Sequence, residues 1–370
     1  NAAERKELAQ EIRQAMLKRA SIHGGHFGPD FGIVEATIAL HTVFDSPKDK
    51  IVWDVSHQVY PHKILTGRKQ AYLEEEHYDD VSGYSNPAES EHDFFEVGHT
   101  STSISLASGL AMARDLRGGH ENIIAVIGDG SMSGGEALEG LDTVGEMGTN
   151  MIIVLNDNQM SIAEVHGGMY KGFEELRRTG GKSEHNLFRA MGLDYRFVAD
   201  GNDSEALIKV FREVKDMDHP VVVHIVTQKG KGYKFAEENK ESWHWHMPFD
   251  IETGEVKQPY VDEAAELTAS YLLDRLKTDK KAGYSHRSDP CILRIYSGTE
   301  KTGRKTVHRC GHCRRTGGSH GFRSSPKAAP ARYSAIMPPS SSGPMTRFPR
   351  MYASTIIRRY SSYLAHPCIL

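Results

Sequence analysis

Two short polar clusters, each closing an apolar run, hold the residue types that could do chemistry in this chain. Ile123-Ile124-Ala125-Val126-Ile127 stops at Gly128-Asp129-Gly130, and Met151-Ile152-Ile153-Val154-Leu155 stops at Asn156-Asp157-Asn158. Continuous β-branched runs without polar alternation suit strands buried on both faces of a parallel sheet. Between them, Gly134 to Met147 has helical spacing (Ala137, Leu138, Leu141, Val144), so the unit reads strand, helix, strand. A right-handed crossover of this kind brings both strand C-termini to one sheet edge, where open α/β sheets bind ligands. Asp129 and Asn158 are expected to meet there as hard oxygen donors. Gly128, Gly130, Gly134 and Gly135 would leave amide groups free near a helix N-terminus. That set suits a Mg²⁺ ion held against a diphosphate. For Gly128-Asp129-Gly130 alone a solvated strand-end turn is the plainer reading; the second cluster, Asn156 to Asn158, favours the ion.

The elements that must position these residues come next. Ala2 to Ile22 has helical periodicity, and Ser21 to Gly28 follows as a glycine-rich loop carrying His23 and His26. Lys50 to Val55 reads as a further buried strand, which puts His57 at the same sheet edge. A histidine in such a place is either a packed or capping group or a functional one. Phe31 to Phe44 has an apolar helical pattern, and Gln70 to Asp93, polar and acidic, reads as a loop or lid. Gly98-His99-Thr100-Ser101-Thr102-Ser103 precedes a small-residue helix, Ile104 to Leu116, and is either a cap or a diphosphate cradle. Ile162 to Lys182 looks like a helix-rich, flexible insert. Pro220 to Val226 is the last clear buried strand, ending in the basic glycine turn Thr227 to Tyr233.

These motifs resemble those of transketolase-like thiamine-diphosphate enzymes, and most closely the 1-deoxy-D-xylulose-5-phosphate synthase family. The resemblance rests on GDGSMSGGEALEGLDTVGEM with MIIVLNDNQMSI, on WDVSHQVYPHKILTGR from Trp53, and on Ser21, Gly24-Gly25-His26 and Gly32-Ile33-Val34-Glu35. It implies condensation of pyruvate with glyceraldehyde 3-phosphate, with loss of CO₂, by a homodimeric enzyme. It also implies site roles. Asp129, Asn158 and the Met160 carbonyl would hold Mg²⁺, and His26 and His57 would line the reacting centre. Thiamine diphosphate would lie against His57, Gly98, His99, Thr100, Gly130, Ser131, Asn158 and Tyr233. A further histidine, His244 or His246, would approach the substrate. Ser56 stands where the family has glycine.

The fold class expected is α/β, an open, mostly parallel sheet with helices on both faces. Residues 1–260 form the diphosphate-binding domain, and 261–281 a linker helix towards a second domain. Residues 1–281 hold 30 Lys and Arg against 47 Asp and Glu, a net charge of −17, whereas 282–370 hold 15 against 2, a net +13. All four cysteines fall in that second part, where periodicity fails. Cys310-Gly311-His312-Cys313 is only half a zinc site, since zinc takes four ligands. Read from the second codon base, Arg309 to Arg315 is compatible with Asp-Val-Gly-Ile-Ala-Glu-Glu, so 282–370 reads as an aberrant, frame-shifted, poorly packed tail. The resemblance calls for a glutamate from the second domain to activate the cofactor, and Glu300 is the only glutamate there. The chain is therefore expected to be inactive alone, and Asn1 in place of Met suggests a start inside a longer protein. Two alternatives stand beside this: the N-terminal subunit of a split transketolase, and a non-catalytic fragment binding diphosphate and Mg²⁺. No long apolar run or signal pattern is present, so a cytoplasmic protein without membrane or nucleic-acid partners is expected.

Overall fold

The computed structural model describes residues 1–258, the helical positions Leu267, Ser270, Tyr271 and Asp274, and three short strands beyond them. Five strands form the central sheet: β2 (Lys50–Trp53), β3 (Ile123–Gly128), β4 (Met151–Asp157), β5 (Asp194–Val198) and β6 (Pro220–Val226). Their order is β2-β3-β4-β6-β5 and every pairing is parallel. Trp53 lies beside Val126, Val126 beside Val154, and Val154 beside Val223, so the strand C-termini line one edge.

In β3, β4 and β6 neither face meets water, which is why they read as near-continuous apolar runs, whereas the edge strand β5 leaves Asp194 and Arg196 half-buried. Ile124, Val126, Ile152, Val154, Val221 and Val223 face the helices Val34–Val43 and Ser204–Val214. Ala125, Ile127, Ile153, Leu155 and Val222 face the helices Ser103–Leu116, Gly135–Met147 and Gly168–Arg178. Chain handedness explains the division. The connections advancing from β2 through β3 and β4 to β5 use one face. The connection returning from β5 to β6 uses the other, as right-handed crossovers require when the direction of travel reverses.

A separate aromatic cluster joins the first helix, Ala2–His23, to the segment near residue 245. There β1 (Gly25–His26) pairs antiparallel with β7 (Trp245–His246), setting His26 opposite Trp245. Stacked Phe27 and Phe31, with Tyr233, Trp243 and Phe249, fill the space between.

Some segments differ from expectation. The pattern over Phe31 to Phe44 splits into two helices, Gly28–Gly32 and Val34–Val43. β4 runs two residues beyond Leu155, taking Asn156 and Asp157 into the sheet. The segment Gln70 to Asp93 is tied down rather than loose. Arg68 grips the buried Asp93 carboxylate with two hydrogen bonds of 2.7 and 3.0 Å, and His62 Nε2 lies 3.1 Å from the same group. Lys63 pairs with Glu89, and His41 meets the other nitrogen of His62 at 2.9 Å. Buried charges of this kind persist only when paired and hydrogen-bonded. In the supposedly flexible insert, the helix Gly168–Arg178 buries Phe173 and Leu176 against the sheet.

Further along, β8 (Gly283–His286), β9 (Val307–Arg309) and β10 (Arg332–Ala335) make a parallel sheet of order β10-β8-β9. Apart from those strands, the expected tail lies outside the described residues, as does most of the linker 261–281. Among the described residues, no helix is long and apolar enough to cross a membrane.

Candidate functional site

Asp129 and Asn158 do meet. β3 and β4 are paired up to Gly128 and Asn156, so the residues that follow leave the same edge side by side. The backbone N–H groups of Gly130 and Asn158 lie near the Asp129 carboxylate and favour its charged form. Asp129 is only 1% exposed, and its Oδ2 has no hydrogen-bond partner. Burial, and then the nearby Asp157 carboxylate, push its pKa well above the ordinary range. An acid in this position is a standing demand for a cation. The Asn158 Oδ1 accepts from the Met160 N–H at 3.1 Å, which draws Met160 to the same turn. Gly130 lies so close to the following loop that a Cβ there would come within 2.9 Å of the Ser161 Cβ. The donor set of carboxylate and amide oxygens, with a glycine that keeps the space open, fits a small hard cation such as Mg²⁺.

The histidines converge a little further along the edge. The His26 and His57 rings lie 4.9 Å apart, and His244 lies 5.8 Å from the first and 5.2 Å from the second. His246 instead stacks on Trp243 at 3.8 Å and bonds the Met247 carbonyl, so of the two candidates it is His244 that joins the group. Burial holds His26 down to a pKa of about 4. His57 is held well below the ordinary value, by burial first and then by the charges of His26 and Lys229, and its Nδ1 is buried without a partner. Both rings are therefore neutral near pH 7, each with one donor and one acceptor nitrogen.

Asp54, at the end of β2, organises what lies between. Its carboxylate accepts from the backbone N–H groups of Ser101 and Ser103 at 2.9 and 3.0 Å, and so caps the helix Ser103–Leu116. The Ser101 and Ser103 amides thus serve this cap. Gly98 and His99 are exposed on the same loop, with Thr100 half-buried beside them, and His99 bonds the Thr100 carbonyl. The Ser101 hydroxyl donates to the Ser131 carbonyl at 2.7 Å and links that loop to Asp129. Val55 and Ser56 hold φ of 58° and 60°, a left-handed backbone that explains the preference for glycine at the second position. Ser56 compensates by donating to the Val97 carbonyl and accepting from the Ser85 N–H.

Residues 1–185 and 180–227 match the family model described as 1-deoxy-D-xylulose-5-phosphate synthase. The chain belongs to this family. Among its curated relatives, the 1-deoxy-D-xylulose-5-phosphate synthase of Halalkalibacterium halodurans is 42% identical over 294 residues, 69% of this chain and 47% of the relative. That of Desulfitobacterium hafniense is 43% identical over 315 residues, 75% of this chain and 50% of the relative. The chain thus spans about half the length of the curated relatives it matches. Among solved structures, transketolases from Campylobacter jejuni and Leishmania mexicana share the fold. Each aligns with a TM-score of 0.52, at 19% and 18% identity, over 65% and 81% of this chain and 40% and 45% of theirs. The family is one of thiamine-dependent, transketolase-type transferases.

On this synthase-family scaffold, Tyr233 stands apart from the edge group. It packs among Phe27, Phe235, Trp243 and Phe249, and its hydroxyl donates to the Ile251 carbonyl. Residues not singled out from the sequence stand closer. Lys229, 1% exposed, donates to the Ser161 and Ile162 carbonyls and lies near enough to act electrostatically on both Asp129 and His57. The signal available for it was a lysine three residues past the apolar run Pro220 to Val226, shared by many solvated loops. Asp157, the middle residue of its motif, bonds His224 Nε2 at 2.9 Å and pairs with Arg177. Burial works against its charge, yet His224 and Arg177 hold its pKa below the ordinary value. Tyr84 sets its ring 5.6 Å from His26. A cavity of about 900 Å³ opens beside Asn158 and Met160, with Tyr170, Lys171 and Arg177 among its walls.

Proposed function

We propose that this chain is the diphosphate-binding part of a cytoplasmic, homodimeric enzyme that condenses pyruvate with glyceraldehyde 3-phosphate to 1-deoxy-D-xylulose 5-phosphate and CO₂. The observation that carries this reading is the buried Asp129 carboxylate with a bare oxygen beside Asn158, in a chain of this family. Asp129, Asn158 and the Met160 backbone would hold Mg²⁺ and, through it, the cofactor diphosphate. Thiamine diphosphate, when bound, supplies a nucleophilic carbon and an electron sink for decarboxylation.

The chain's own residues do the remainder. His26 and His57 present neutral imidazoles, and His244 a third ring beside them, that can orient a keto acid or a sugar-phosphate hydroxyl and hand a proton over a short distance. All three residues are half-buried, which partly shields the polar contacts made there from water and strengthens them. Asp54 and Ser131 hold the two loops that face each other across the edge. Residues 282–370 contain Glu300 alone where the family resemblance calls for an activating glutamate, so the 370 residues bind but do not turn over by themselves.

Calorimetric titration of thiamine diphosphate with Mg²⁺ tests the binding step. The parent chain is expected to bind and Asp129→Ala to lose binding; equal affinity in the two would refute the assignment. An assay of 1-deoxy-D-xylulose 5-phosphate formation by the purified chain should show none, and measurable product would refute the claim of inactivity. With the reading frame restored after Lys281, pyruvate consumption rather than ketose transfer separates this reading from a split transketolase.

A further inference from the structure

The helix Gly168–Arg178 touches the edge group at two points that its packing alone does not require. Near its C-terminus, Arg177 Nη1 pairs with Asp157 Oδ2. The other oxygen of Asp157 accepts from the Gln159 N–H at 3.1 Å, and Gln159 sits at φ 62°. One residue along, Asn158 Oδ1 accepts from Met160 N–H. Two consecutive side-chain-to-backbone turns thus shape the stretch 157–160, and the first is anchored from outside by Arg177. Nearer the helix N-terminus, the Tyr170 hydroxyl reaches the Gly130 carbonyl at 3.4 Å, on the far side of Asp129. Phe173 and Leu176, buried between them at 2% and 1% exposure, fix the helix against the sheet. The cavity beside Asn158 lies between this helix and the loop that follows β4.

We infer that Arg177 and Tyr170 are positioning residues for a divalent-cation site, holding the Asp157–Met160 turn and the Gly130 loop at the spacing that Asp129 and Asn158 need. This inference rests on the reading of Asp129 and Asn158 as cation ligands. Its content is that a segment outside the ligand motifs controls how well those motifs bind. Electrostatics and geometry predict opposite signs here, which makes the role testable. Arg177 is a positive charge near the site, so on charge alone its loss should tighten cation binding. If its work is to hold Asp157, and through it the turn, its loss should loosen binding instead.

The experiment titrates Mn²⁺ alone into the 370-residue chain, followed by electron paramagnetic resonance, with Asp129→Asn as the control that removes the site. Arg177→Met is expected to weaken Mn²⁺ binding about tenfold, the size of one buried charge-assisted hydrogen bond. Arg177→Lys, which keeps the charge without the planar fork, should recover only part of it. The Mn²⁺ spectrum of Arg177→Met should also change, reporting an altered ligand geometry. Arg177→Met binding Mn²⁺ as tightly as the parent, or more tightly, would overturn the inference while leaving the site itself intact. If the parent fails to bind Mn²⁺, the ligand reading falls and this inference with it. Should circular dichroism show Arg177→Met unfolded, Tyr170→Phe carries the test, since it removes only the hydroxyl. An affinity and spectrum identical to the parent would then refute the role given to Tyr170 and the bracing model together.

Discussion

Asp129→Asn should make the chain more stable and less able to bind its ion, and the two effects can be separated in one series of unfolding curves. In the absence of metal, Asp129 has an oxygen without a donor, and Asp157 lies within electrostatic reach. A buried carboxyl with an unsatisfied oxygen costs about 1–3 kcal/mol, more where it carries charge. An asparagine there removes the charge, but its own NH₂ would be an unpaired donor worth about 1 kcal/mol. The balance is a gain of about 0–2 kcal/mol for Asp129→Asn in EDTA. With Mn²⁺ at a hundred times its dissociation constant, the parent gains about 2.7 kcal/mol by mass action and the variant gains nothing. The order of stability should therefore invert between EDTA and metal. Urea unfolding followed by tryptophan fluorescence measures both. A variant less stable than the parent in EDTA, or an order that does not invert, refutes the picture of a carboxylate held ready for a cation.

Three further outcomes follow from the same geometry. Ser56→Ala keeps the left-handed backbone and loses both hydroxyl bonds, at a cost of about 2–3 kcal/mol. Ser56→Gly loses the same bonds but relieves the backbone, so it should be milder by about 1 kcal/mol in urea unfolding, and an order with Ala the milder would disprove the strain. The folded-state pKa values of His26 and His41, about 4 and about 3, lie below the ordinary 6.5, so the unfolded chain takes up protons first as pH falls. Stability should drop by about 1–3 kcal/mol per buried ring between pH 6.5 and 4, and a slope unchanged in His26→Gln would rule His26 out as a contributor. Gly130→Ala should push the Ser161 loop away and weaken Mn²⁺ binding by about 1–3 kcal/mol, which a titration that matches the parent would contradict.

The sheet was legible because burial on both faces leaves an unmistakable mark: Ile123–Gly128 and Met151–Asp157 have no polar residue until their ends. The meeting of Asp129 and Asn158 followed from that mark and from crossover handedness. Other features leave no local trace. Nothing in the composition of Pro220–Val226 says that it inserts between β4 and β5, because strand order is decided by how helices share the two faces. His244 and His246, two residues apart, would share a face in a strand, but His244 lies outside β7, and its ring turns towards His57 while that of His246 stacks on Trp243. The segment from Gln70 to Asp93 reads as a loop or lid, and its charges taken singly do not show what ties it down. Only the fold shows Arg68, Asp93, His62 and Glu89 satisfying each other.

The insertion of β6 also bears on how the chain is made. During synthesis β5 emerges before β6, the strand it pairs with among the described residues, and β4 waits with an unpaired, mostly apolar edge until residue 226 has appeared. An open hydrophobic edge invites pairing with another chain. Roughly seventy residues separate the completion of β4 from that of β6, which at typical elongation rates is a delay of about 4–14 s. The nascent chain is therefore most exposed to aggregation in that interval, when Asp129 and Asn158 have been made but the strand that closes their sheet has not.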